Sequence, residues 1–161
     1  MSLYHSHIER LLKPGHAYRC FCPTHRLDAL NRQRNDLGLP LGYDRACANI
    51  SESESERRAA AGEPYVVRFR AFDQGYSVYK DLVYGKVGRP NIQGNEVFDD
   101  PILVKSDGYP TYHFANVVDD HHMRISHVIR GGVSLLSKLQ HVTNPDLIGM
   151  DLVNTPPSCP V

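Results

Sequence analysis

Residues 105–131, KSDGYPTYHFANVVDDHHMRISHVIRG, gather tyrosine, aspartate, histidine and arginine around short apolar stretches, which is the composition of a binding site as well as of a core. Tyr109-Pro110 punctuates the chain, residues 111–118 are apolar and β-prone, Asp119 and Asp120 offer a helix start, and residues 125–129 form a second short strand ending at Arg130. In open α/β sheets ligands sit beyond the carboxyl ends of the strands, so Tyr112 and Arg130 are the first residues expected to touch a substrate. An arginine fork grips a carboxylate or phosphate through charge-assisted bonds of about 1.5 to 3 kcal/mol each. The alternative for Arg130 is an exposed arginine in a weak ion pair. His113, Asp119, Asp120, His121, His122 and His127 also admit a metallohydrolase reading, since imidazole and carboxylate suit zinc or manganese. Against it, no HExxH spacing occurs, and adjacent histidines point to different sides of a helix.

Cysteine offers a second chemistry. Cys20 and Cys22 form a C-x-C pair, and Cys47 follows 25 residues later. Zinc wants four nitrogen or sulfur ligands in a tetrahedron, and His25, three residues after Cys22, is available as the fourth. Reduced, buried thiols are the competing reading. Cys159 stands apart in a proline-rich tail, and four cysteines in 161 residues do not make a disulfide scaffold.

The elements that must position these groups are α+β in the middle of the chain. Residues 26–34 read as a short helix. Ser51-Glu52-Ser53-Glu54 is a capping signature leading into a second helix over residues 55–61, which Gly62 ends. Residues 65–70 alternate as a strand, residues 78–87 form another, residues 94–97 mark a turn, and residues 101–105 are apolar and extended.

At this point the residues carry a resemblance. The 105–131 run, together with CFCPTHRLDAL at 20–30, YDRACANIS at 43–51, AAAGEPYVVRFR at 59–70 and KDLVYGKV at 80–87, resembles glutamyl-tRNA synthetases of the bacterial or mitochondrial type in order and approximate spacing. The resemblance implies an α/β fold: a partial class I Rossmann catalytic domain with an inserted α+β connective-peptide domain that binds the tRNA acceptor stem. Residues 1–22 would close the first Rossmann half, 23–107 would be the insertion, 108–141 would begin the second half, and 142–161 would be an irregular tail. It implies that Tyr112, Asn116 and Arg130 line a glutamate pocket. ATP with Mg2+, L-glutamate and tRNA(Glu) would be the partners, with neither DNA nor membrane, in a monomer. The mitochondrial matrix is the expected location, or the cytoplasm for a bacterial-type enzyme. Some bacterial members hold structural zinc with C-x-C, a third cysteine and a histidine two residues on; here that last position is Asn49, a poor ligand.

The departures matter too. Neither an HxGH element nor a KMSKS loop, the family's ATP-gripping motifs, occurs in these residues, and Ser137-Lys138 is no substitute. After Arg130 the family usually continues with acidic residues and tryptophan, whereas this chain reads Gly131-Gly132-Val133-Ser134 and contains no tryptophan. The chain therefore reads as an internal fragment, inactive alone in glutamate activation, with a noncatalytic tRNA acceptor-binding module as the alternative.

Charge narrows the tRNA expectation. Lysine plus arginine equals aspartate plus glutamate at 18 each, with a pI near 7.1, so any RNA footprint must be local. Residues 1–45 carry seven lysines and arginines against four acids, and Arg26, Arg32 and Arg34 could face phosphates from one helix. A solvated helix face accounts for them as well. No apolar run approaches the ~18 residues of a membrane span. The first residues carry Glu9 and no serine-arginine enrichment, so they make no transit peptide, and an import signal would lie outside them.

Overall fold

The structure is a computed structural model that describes residues 1–39, 41–70 and 100–125, with backbone alone at 79–81 and 85–87. The chain begins with helix α1 (Ser2–Leu12) and strand β1 (Ala17–Cys20), followed by helices α2 (Thr24–Asp36) and α3 (Glu52–Ala60). Strand β2 (Val66–Phe69), the short strands β3 (Tyr79–Asp81) and β4 (Gly85–Val87), strand β5 (Ile102–Val104) and helix α4 (Tyr112–His122) complete it.

Strands β1, β2 and β5 form one antiparallel sheet in that order, with Ala17 opposite Phe69 and Cys20 opposite Val66. The register of β2 against β5 shifts between Val67 and Arg68. Because strand side chains alternate, the sheet has two different faces. Ala17, Val67 and Phe69 join Ile8 and Leu11 of α1 and Phe114, Val117 and Val118 of α4 in one apolar cluster. Tyr18, Cys20 and Val66 turn the other way, toward Phe21, Tyr43, Cys47 and Ala48. Phe69, Phe114 and Val118 are almost wholly buried, each burial contributing about 1.5 to 3 kcal/mol.

The helix signals behave as their chemistry requires. Ser51 accepts a hydrogen bond from the Glu54 amide at 3.3 Å, capping α3. Gly62 adopts φ +78°, which lets its N–H reach Ala59 O at 3.0 Å and end the helix. The helix expected at 26–34 is α2, extended by two residues at each end. The strand expected at 78–87 is an antiparallel pair, β3 with β4, pairing Tyr79 with Val87.

One expectation is overturned. Residues 111–118 do not form a strand: α4 runs from Tyr112 to His122, and Asp119 and Asp120 lie near its end instead of starting a helix. The β-branched residues there supply a helical stripe, since Phe114, Val117 and Val118 recur at i, i+3 and i+4 and are the buried ones. Burial against β5 and α1 outweighs their β propensity. Tyr112 is therefore a first-turn residue, not a strand end. All strand pairs among the described residues are antiparallel. The turn expected at 94–97, the strand expected to end at Arg130 and the tail at 142–161 lie outside the described residues, apart from Ile125. Among the described residues no helix is long and apolar enough to cross a membrane.

Candidate functional site

The first constellation is sulfur-rich. Cys20 ends β1 with its side chain on the inner face, and two residues later Cys22 returns to the same side. Arg45, at φ +56°, turns the chain so that Cys47 comes back beneath them. Arg45 holds this conformation by donating two hydrogen bonds to the buried Asp100, Nε to Oδ2 at 2.8 Å and Nη2 to Oδ1 at 2.9 Å. The three sulfurs lie within 4.8 Å of one another, and Cys22 Sγ is 3.5 Å from Cys47 Sγ.

Tyr43 completes the cluster. Its Oη is hydrogen-bonded to Cys20 Sγ at 3.2 Å, lies 3.3 Å from Cys22 Sγ and accepts the Cys47 amide at 3.2 Å. Arg26 closes the open side, donating to Asp44 at 2.5 Å and lying 3.5 Å from Cys22 Sγ. The Cys20 thiol is held well below its usual range, first by the hydrogen bond from Cys47 and then by that from Tyr43, against the opposing effect of burial. Cys47, sharing the proton with Cys20 and buried, is raised. Burial, followed by the two neighbouring sulfurs, pushes the Tyr43 hydroxyl up.

This donor set fits zinc. With Zn–S near 2.3 Å, tetrahedral sulfurs sit about 3.8 Å apart, close to the spacing here. Three thiols and one phenol oxygen make four donors. His25 is exposed on the first turn of α2 and does not belong to the group, and Asn49 is exposed as well. Sequence reasoning missed Tyr43, although its place four residues before Cys47 was a usable signal.

Behind the cluster lies a polar hub that the sequence did not announce. Asp100 is 2% exposed and accepts from Tyr18 Oη at 2.6 Å as well as from Arg45, while its carbonyl accepts from Arg68 Nη1 at 2.9 Å. The Arg68 guanidinium lies 4.2 Å over the Tyr43 ring, so hub and cluster share a wall.

The second constellation is α4. Tyr112 is 70% exposed and Asn116 is half-buried one turn later, so both open on one helix face. Arg130 lies outside the described residues. The helix is tied down by Thr111 Oγ1 donating to Ile102 O at 2.9 Å and by Tyr4 Oη donating to Asp119 Oδ1 at 2.8 Å. A hydrolase-like metal set does not assemble there. Among the described residues the only group with metal-ligand spacing is the three cysteines, Asp119 is engaged by Tyr4, and His127 lies outside.

The arginines expected to meet RNA divide. Arg26 is committed to Asp44 and the thiol cluster, Arg32 is exposed, and Arg34 is half-buried.

Comparison with known proteins places both constellations in one family. Residues 1–151 match the model of tRNA synthetases class I (E and Q), catalytic domain. A glutamate–tRNA ligase of Clostridium acetobutylicum is 45% identical over 135 residues, covering 84% of this chain and 27% of the relative. One from Sinorhizobium medicae is 40% identical over 149 residues, covering 92% and 30%. The crystal structure of glutamate-tRNA synthetase from Elizabethkingia anophelis aligns with a TM-score of 0.81 at 31% identity, covering 98% of this chain and 32% of that one. A glutamate tRNA ligase from Elizabethkingia meningosepticum, solved in complex with its amino acid, aligns with a TM-score of 0.79 at 31% identity, covering 99% and 31%. The chain thus spans about a third or less of these relatives. With a family match over 151 residues and an α/β fold shared with two solved members, the chain belongs to the class I tRNA synthetases for glutamate and glutamine, and it represents part of their catalytic domain.

Proposed function

We propose that this chain is part of a glutamate-tRNA ligase, an enzyme that uses ATP to activate glutamate and then transfers it to the terminal adenosine of tRNA(Glu). The observation that carries the reading is the family match over residues 1–151, joined to the two curated relatives named above, both glutamate–tRNA ligases. In this scheme Tyr112 and Asn116 face the amino acid from α4, and Arg130 pairs with its carboxylate. Residues 23–107 are the acceptor-binding insertion, and the exposed Arg32 is the α2 arginine best placed for a phosphate. The insertion shares its sheet with β1, so the two parts would move as one body. The relatives named are bacterial and lend no support to a mitochondrial address.

Zinc, where bound, supplies structural crosslinking. Cys20, Cys22 and Cys47 would hold it with Tyr43 as the fourth donor, which pins the end of β1 to the 43–47 turn.

Charge stabilisation of the adenylate needs groups that these residues do not contain, since neither HxGH nor KMSKS is among them. The 161-residue chain is accordingly expected to show no glutamate-dependent pyrophosphate exchange. The second reading, a noncatalytic acceptor-binding module, is favoured by that same lack. Salt-sensitive binding of tRNA(Glu) without exchange supports it, and exchange activity in the isolated chain excludes it. The ligase reading is tested with Arg130→Ala in a full-length enzyme carrying these residues. A sharp fall in kcat/KM for glutamate is expected, and an unchanged value removes Arg130 from the pocket.

A further inference from the structure

The seam between α1 and α4 contains two rungs. Tyr4 and His7 lie one turn apart on α1, Asp119 and His122 one turn apart on α4, and each pairs with its opposite number. The second rung is unusual: His7 Nε2 and His122 Nε2 approach to 3.1 Å. Two ring nitrogens so close need one proton between them and no more.

Which ring holds that proton follows from burial. His7 is 4% exposed, and its Nδ1 is buried with no hydrogen-bond partner. A proton on that nitrogen would be a buried N–H with nothing to donate to, the rarer and costlier orphan. His7 therefore carries its proton on Nε2 and donates it to His122 Nε2. His122 is exposed and keeps its own proton on Nδ1, toward water. A divalent cation bridging the two Nε2 atoms would force the disfavoured Nδ1–H form of His7, so the proton is the better occupant.

We propose that His7 and His122 form an acid-sensitive latch between α1 and α4, closed when one proton lies between the two Nε2 atoms and opened when the pair takes up a second. With a second proton on the pair both Nε2 atoms carry hydrogen, and the contact can be kept only by moving the His7 proton to its buried, partnerless Nδ1. The groups around His7 oppose a positive charge there. Arg10 lies on its own helix, His121 and His122 face it from α4 with ring centroids at 6.5 and 5.4 Å, and β1 contributes the apolar Ala17 to this cluster. Burial first, then Arg10 and the two neighbouring histidines, lowers the His7 pKa. On this seam the Asp119 carboxylate is occupied by Tyr4. A histidine depressed in the folded state contributes stability above about 6.5, and that contribution is lost as pH falls. Each pH unit over which only the unfolded ring is protonated lowers the folded-to-unfolded ratio about tenfold. The last turn of α4 is what the latch holds, and α4 also carries Tyr112 and Asn116.

Long-range 15N–1H NMR of the imidazoles in the whole chain reads the latch directly. At pH 7.5 His7 is expected as the Nε2–H form and His122 as the Nδ1–H form. Acidification to pH 5 should change both rings together and remove the contacts between α1 and the last turn of α4. An Nδ1–H form of His7, or acidification that leaves the contacts between α1 and α4 undisturbed, overturns the proposal. In parallel, His122→Gln keeps an acceptor that does not titrate, so its melting temperature should fall less than that of the wild type between pH 7 and 5. An equal fall overturns the latch.

Discussion

The two faces of the β1-β2-β5 sheet are built on different principles. The face toward α1 and α4 is closed by shape and apolar contact, with Phe69, Phe114, Leu103, Val117 and Val118 almost fully buried. The other face is closed by chemistry: three thiols, a tyrosine, and an aspartate bound to two arginines and a second tyrosine. Dispersion and hydrophobic burial tolerate a change of one apolar residue for another of like volume. A buried polar network does not, because each deletion leaves partners unsatisfied. Substitutions chosen on each side should therefore fail in different ways.

The largest effect is expected at Asp100. Asp100→Ala removes the buried carboxylate to which Arg45 and Tyr18 donate and should cost about 3 to 5 kcal/mol in urea unfolding. On the apolar face, Val118→Ala deletes buried methyl groups without stranding a polar atom and should cost about 1 to 3 kcal/mol by the same measurement. A larger loss from Val118→Ala than from Asp100→Ala would reverse the comparison.

Next in size is the metal test. If the thiol face binds zinc, purified protein should contain one equivalent by atomic emission, and a chelator should lower its melting temperature. Cys47→Ser should abolish the metal, and Tyr43→Phe should weaken its retention while leaving the thiols in place. The apolar-face variant Val118→Ala should retain the full equivalent. Metal content that survives Cys47→Ser would dissolve the assignment.

Smaller still is the pH response of the Arg26–Asp44 pair that borders the thiols. Burial raises the Asp44 carboxyl, but Arg26 and the Ala46 amide outweigh it, so its pKa lies below the usual value. A depressed carboxylate stabilises the fold above its unfolded pKa, and the contribution disappears as pH falls through the folded value. Asp44→Asn should flatten the stability profile below about pH 4, while a variant confined to the α1–α4 seam should act nearer pH 6. The smallest effect is expected at Ser51→Ala, about 1 kcal/mol from loss of the α3 cap.

Much of the local structure was legible. The Ser51 cap, the Gly62 stop, the α2 helix and strands β2 and β5 all carry signals that act within a few residues, by a hydroxyl on an amide or by alternation of side chains. The cysteine trio was legible as a group because a C-x-C pair followed by a third cysteine has metal-ligand spacing. The identity of α4 was not, since its valines and phenylalanine satisfy a short strand and a helical stripe equally well. Nor were Asp100 and His7, whose partners lie 32 to 115 residues away in the chain.

By itself the sequence determined where helices can begin and end, which thiols belong to one group and which family the chain resembles, because these depend on near neighbours or on pattern. Only the tertiary structure decided that residues 112–122 are helical, that Tyr43 is the fourth group at the thiols and that Asp100 joins both arginines. Those outcomes depend on which surfaces become buried together. Burial changes what an unpaired proton or charge costs, and no local spacing encodes it.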